Sequence, residues 1–176
     1  DYLVQERPDV VINIVDASNL ERNLYLTCQL LELGVPLVIG LNMIDVAKSR
    51  GIEINGPLLE RLLQVPVVPI IARSGLGKDE LLEACLKRVA DIETWTPRDI
   101  SYGDDLDGAT GNMETLILAH SFMTETYPAR YTAIKYLEDD EQIASKGRTS
   151  DPKTAKLLDD IVSEVTVHTQ KTLDVY

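Results

Sequence analysis

Apolar and polar positions alternate differently in the two halves of the chain. Residues 10–15 (VVINIV) form a β-branched run suited to a buried parallel strand. Ser18-Asn19-Leu20-Glu21 follows, a capping-box pattern that starts a helix. Leu20, Leu24, Thr27 and Leu31 share one face of that helix, with Tyr25 and Cys28 flanking it. Gly34 ends it and Pro36 prevents its continuation. Residues 37–41 read as a second strand, followed by a short helix at about Ile44–Ser49. Asn55-Gly56-Pro57 opens another helix, with proline at a tolerated early position, running to about Leu63. Residues 65–71 (VPVVPII) read as a third strand, whose two prolines suit a sheet edge better than its centre. Residues 78–89 predict an amphipathic helix with Leu81, Leu82, Cys85 and Val89 inward.

This alternation predicts three parallel strands joined by right-handed helical crossovers. Residues 95–111 break the pattern with Pro97, three glycines and four aspartates, and read as a linker. Beyond it the periodicity is purely helical. One helix is expected over 112–126, a second over Ala129–Leu137 stopped by the acidic run 138–141, and a third over 152–170. The fold class is therefore α/β, followed by a small all-α unit.

Composition narrows the function classes. Hydrophobic residues make up 44% of the 176-residue chain, enough for a core, and the net charge is −12. The acidity is spread, with 14 acids and 9 bases in residues 1–95, and 15 and 8 in the remainder. No basic patch exists to neutralise phosphates, which argues against nucleic-acid binding. Cys28 and Cys85 fall inside helical patterns and read as small buried hydrophobes. Their spacing fits neither a disulfide framework nor zinc, which points to a reducing compartment. No apolar run approaches the roughly 20 residues of a membrane span.

The most informative stretch is Asn42-Met43-Ile44-Asp45, at the C-terminal end of the second strand. Open α/β sheets bind ligands at that end. An Asp carboxylate there can accept two hydrogen bonds from the N1 and N2 donors of guanine, a pattern adenine does not offer. The competing assignment is a helix cap, with Asn42 or Asp45 satisfying free N–H groups. A second element, Ile71-Ala72-Arg73-Ser74-Gly75, closes the third strand, with Ala72 placed to offer a backbone N–H to guanine O6. Its competing assignment is a plain strand-to-helix turn hinged at Gly75 and Gly77. Gly75-Leu76-Gly77-Lys78 is not a phosphate loop, because G-x-x-x-x-G-K-[ST] is not met: Lys78 is followed by Asp79. Asp16 reads as a cap or turn residue. His120 and His168 have no partners at ligand spacing, and no catalytic or metal-ligating residue is assigned.

Residues 9–47 (DVVINIVDASNLERNLYLTCQLLELGVPLVIGLNMIDVA) closely resemble the second half of the cytosolic G domain of the FeoB family, prokaryotic ferrous iron transporters. Met43, where most GTPases carry Lys, is part of that likeness. Residues 66–81 resemble the family's last guanine loop, and 99–107 and 129–141 its helical domain. The resemblance implies a partial P-loop GTPase fold at 1–95, a linker at 96–111 and a helical, dissociation-inhibitor-like regulatory domain at 112–176. It implies that Asn42 braces the guanine loop and Asp45 accepts from the base. Met43 then covers the ring, Ala72 donates to O6, and Arg73 and Ser74 complete the loop. Two positions depart from the pattern: Ile71 replaces a Ser or Thr, and Gln64 stands where a helix-ending Gly is expected.

The family also carries a phosphate loop, a magnesium switch and a D-x-x-G element upstream, and a membrane domain downstream. The chain is thus expected to be an internal piece of the cytoplasmic GTP-binding region. The parent would bind and hydrolyse GTP with Mg²⁺ and support Fe²⁺ uptake from the cytoplasmic side of the inner membrane. The piece alone would contact GTP or GDP weakly through the guanine and would not hydrolyse GTP. Its partners would be the rest of the transporter, and a second copy through an uncovered apolar edge at residues 10–15. The alternative function is a non-enzymatic interaction module, in which the acidic helical half binds a protein.

Overall fold

The computed structural model describes residues 2–90 and 95–173. After a short helix α1 (Tyr2–Glu6), not anticipated from the sequence, three strands form one parallel sheet. They are β1 (Val11–Asp16), β2 (Leu37–Asn42) and β3 (Val67–Pro69), in the order β1-β2-β3. Val15 pairs with Leu41 and Asp16 with Asn42, while Leu41 also pairs with Pro69. The central strand is sealed: Leu37, Val38 and Ile39 are fully buried and Leu41 is 2% exposed. The chain divides into two compact units, Asp1–Arg98 and Asp99–Tyr176.

In the first unit a 3-10 turn (Ala17–Asn19) leads from β1 into α2 (Leu20–Leu33). That helix buries Thr27, Leu30 and Leu31 and closes on Gly34, which is left-handed at φ 83°. Asn13 of β1 is buried and donates to the Thr27 hydroxyl of α2 at 2.8 Å, so the polar side chain in an apolar strand is satisfied. Its neighbours do not follow the expected burial on both faces. Ile12 and Ile14 are 39% and 50% exposed, because β1 is an edge strand with helix cover on one side only. The third strand is shorter than 65–71: Pro66 has no N–H to donate and meets β2 only as an acceptor, its carbonyl taking the Ile39 N–H at 2.8 Å.

Helices α3 (Ile44–Ser49) and α4 (Gly56–Leu63) have the expected bounds. Asn55 caps α4 by accepting from the Leu58 N–H at 3.0 Å. Helix α5 (Lys78–Ala90) lays Leu81 and Cys85 against Val38 and Ile70. Leu82 and Val89, expected inward, are 48% and 42% exposed, so the buried stripe is narrower than the apolar pattern. Gln64 ends α4 at φ 55°, a left-handed conformation that an L side chain strains to adopt.

The second unit holds α6 (Asp104–Ala119), α7 (Ala129–Leu137), α8 (Glu141–Ser150) and α9 (Pro152–Leu173) around Met113, Ile117, Ala133 and Leu158, all fully buried. Helix α6 begins inside the stretch expected as linker and ends well short of residue 126. Three of the aspartates that suggested a loop occupy its first turn, where the helix dipole favours them. Asp107 accepts from the Ser101 hydroxyl and the Tyr102 N–H, and these bonds together with Arg130 hold its carboxyl below the usual range. Arg130 also donates to the Ile100 carbonyl at 2.7 Å, so the segment before α6 is anchored rather than free. Helix α8 was not anticipated. Asp140, in the acidic run that reads as a stop, is its N-cap and accepts from Gln142 and Ile143 at 3.1 Å.

Tyr136 is 3% exposed, and its hydroxyl has no partner among the described residues. The oxygen sits over Gly147, where any Cβ would collide with it. Burial, reinforced by Asp159 and opposed by Arg148, pushes the phenol up to about 12.

Two measurements check this account. Gln64→Gly relieves the left-handed strain and is expected to raise stability by about 0.5–1 kcal/mol in denaturant titration, after the entropic cost of glycine. An unchanged or lower midpoint would contradict it. The neutral phenol is the form favoured in the folded chain. Its contribution is therefore complete below the unfolded value near 10 and is lost as pH rises toward about 12. Tyr136→Phe should be no less stable at pH 7 and should lose stability less steeply than the parent between pH 10 and 12.

Candidate functional site

Parallel pairing brings the C-terminal ends of all three strands to one edge of the sheet, where both motif loops lie. Asn42 is the last residue of β2, and Met43 turns left-handed at φ 62° before α3 begins. The kink changes the chain from strand to helix within one residue and leaves the Met43 side chain 38% exposed. Asp45 falls in the first turn of α3, where the dipole favours its charge, and its side chain is 36% exposed.

The second loop is tied to the first. The Ile70 N–H donates to the Leu41 carbonyl at 2.8 Å, carrying the pairing past β3. Two residues on, the Ala72 N–H donates to Asn42 Oδ1 at 3.0 Å. Asn42 therefore ties the second loop to the first, and it does not cap α3, whose N-cap makes no side-chain bond. The same bond takes up the Ala72 N–H, so the free chain does not hold that group open for a ligand as the sequence suggests.

Ile71 leaves no hydroxyl where the pattern expects one, and the turn is held by its carbonyl instead. That oxygen accepts from the Ser74 and Gly75 N–H groups at 3.0 Å and from the Ser74 hydroxyl at 3.2 Å. The Ile71 N–H donates to the Leu76 carbonyl at 3.0 Å, closing the turn on itself. Gly77, at φ 79°, is obligatory there, because a Cβ would lie 2.3 Å from the Pro69 carbonyl. Gly75, Gly77 and Lys78 thus serve the turn and the entry to α5. Ser74 acts within its own loop, whereas the Arg73 guanidinium reaches across to Asp45 Oδ2 at 3.6 Å. Asp16 accepts from the Ser18 N–H and hydroxyl at 2.8 Å, the turn role its position suggests.

The structure therefore gathers Asn42, Met43, Asp45, Ala72, Arg73 and Ser74 on two adjoining loops. The sequence did not disclose that Arg73 pairs with Asp45. A long exposed side chain gives no periodic signal, and only its neighbour across the sheet edge defines it. Among the described residues, no group of three or more His, Cys, Asp or Glu side chains is placed to hold a metal ion. None of the described helices is long and apolar enough to cross a membrane.

Asn42→Ala is expected to speed amide hydrogen exchange at Ala72 and through the following turn, while lowering global stability by no more than about 1 kcal/mol. Persistent protection at Ala72 would show that the loop is held by other contacts.

Comparison with known proteins agrees across both units. Residues 1–85 match the family model described as Ferrous iron transport protein B, and residues 102–176 match that of the FeoB cytosolic helical domain. The Fe(2+) transporter FeoB of Staphylococcus aureus is 44% identical over 151 residues, covering 83% of this chain and 22% of the relative. The chain thus spans about a fifth of the length of the curated relatives it matches. Among solved structures, NFeoB from S. thermophilus bound to GDP.AlF4- and K+ aligns with a TM-score of 0.78 at 33% identity, over 97% of this chain and 64% of that one. The FeoB G-domain from Methanococcus jannaschii is 53% identical, with a TM-score of 0.51, over 52% of this chain and 58% of that one.

Proposed function

The chain belongs to the FeoB family of ferrous iron transport proteins, and from that premise we propose that its first unit carries the base-reading loops of a guanine-nucleotide site. The observation that carries this reading is the bond from the Ala72 N–H to Asn42 Oδ1. It joins two sequence-distant loops at the ligand-binding end of a parallel sheet and sets the Asp45 carboxylate beside them. A carboxylate there takes both N1–H and N2–H of guanine in a charge-assisted, two-point contact. Adenine has no matching pair of donors. Met43 supplies an apolar cover for the base; the Ala72 N–H, bonded to Asn42 in the free chain, exchanges that bond to reach O6, and Arg73 and Ser74 complete its loop. A solved relative is described as bound to GDP.AlF4- and K+, which supports guanine nucleotides as the ligand class.

The base loops alone bind weakly, because phosphate and metal contacts supply much of the affinity for a nucleotide. No hydrolytic step is assigned to these loops, and the Mg²⁺ that phosphoryl transfer needs belongs to the reading of the longer transporter. GTP hydrolysis, and the Fe²⁺ uptake it supports on the cytoplasmic side of a prokaryotic membrane, are assigned to the longer transporter. The second unit, matched to the family's helical domain, is read as a regulatory element of that region.

One further observation favours an intermolecular contact. Strand β1 lies at the sheet edge with Ile12 and Ile14 exposed, the kind of edge that recruits another strand. Concentration-dependent self-association of this chain is the expected consequence.

The base assignment is tested by exchanging the acceptor for an amide. Asn at position 45 offers one donor and one acceptor, which matches the N1–H and C2 carbonyl of xanthine and not the two donors of guanine. Asp45→Asn is expected to weaken GMP binding at least tenfold and to favour XMP over GMP. Equal GMP affinity in parent and variant would remove Asp45 from the site.

A further inference from the structure

We propose that Arg73 acts as a built-in competitor for the base, holding the Asp45 carboxylate when no nucleotide is present. The inference rests on the base-site reading of Asp45 and adds to it the state of the empty site. The structure gives Ala72, Arg73 and Ser74 of the second loop different roles. The Ala72 N–H is bonded to Asn42, and the Ser74 hydroxyl to the Ile71 carbonyl. Arg73 alone sends its side chain to the carboxylate, with Nη2 at 3.6 Å from Oδ2.

Chemical likeness makes this pairing informative. A guanidinium is planar and presents adjacent N–H donors, as does the N1–N2 edge of guanine. A carboxylate that suits one suits the other, and one oxygen cannot serve both with full geometry. Base binding therefore exchanges a protein donor for a ligand donor at Asp45. The exchange is easy in one respect: Arg73 is 89% exposed, so its guanidinium returns to water when displaced. That exposure also bounds the effect, because exposed ion pairs contribute little and are screened by salt.

Removing the competitor should therefore tighten binding. Guanosine is the appropriate probe, since it carries no phosphate that would itself attract Arg73. Its affinity for this chain is measured by NMR titration at low and high salt, in the parent, Arg73→Ala and Asp45→Ala. Arg73→Ala is expected to bind guanosine two- to fivefold more tightly at low salt, with the gain shrinking at high salt. Asp45→Ala is expected to lose most binding. Affinity that is unchanged or weaker in Arg73→Ala, with Asp45→Ala impaired, would overturn the competitor role and leave the base site standing. Binding that is indifferent to Asp45→Ala, or absent in the parent and in both variants, would overturn the base site and this role together. A ligand-free measurement reads the contact directly: Asp45→Asn should shift the Arg73 side-chain Nε–H resonance, and an unmoved resonance would also overturn the proposal.

Discussion

Strand β2 has a hydrogen-bonded neighbour on each side, and the candidate site follows from that constraint. Its register with β1 and β3 is fixed because Leu37, Val38, Ile39 and Leu41 have no exposed alternative. A slip of one residue would exchange the faces of the strand and strand its apolar side chains against the wrong helix. With the register fixed, Asn42 emerges beside the chain leaving β3, and one side-chain bond to Ala72 joins the loops. Met43 then turns the chain into α3, which presents Asp45 on the same edge. Core packing thus controls the placement of polar groups that themselves contribute little to stability.

Much of the first unit was legible because its signals are local. Gly34, Pro36 and the Asn55-Gly56-Pro57 sequence act through backbone conformation, and the helix bounds they imply are those observed. The departures arise where burial depends on what lies across the sheet. Ile12 and Ile14 look like core residues in sequence, yet they stand on the open side of an edge strand. Leu82 and Val89 continue an apolar pattern beyond the stripe that α5 buries.

The second unit was harder to read for a related reason. Helix α8 buries only Ile143, Ala144 and Gly147, too few and too small to give a clear apolar period. Its N-cap, Asp140, sits in an acidic run that resembles a solvated stop. The aspartates before and within α6 suggested a linker by composition, whereas Arg130 and the helix dipole make them a helix start. Acidic residues terminate or initiate helices depending on partners that only the folded chain supplies.

At the site, the residue types were legible and their connections were not. The N-x-x-D spacing and the following loop named the candidates, but a helix cap explained Asn42 equally well until its oxygen was found on Ala72. The central claim is that these two loops form one guanine-reading surface. It is tested most directly by following the backbone amides of the chain by NMR during titration with GMP and, separately, AMP. The account predicts GMP-dependent shifts clustered at residues 42–45 and 72–74, with AMP producing none there. Shifts dispersed over other surfaces, or equal responses to the two nucleotides, would contradict it.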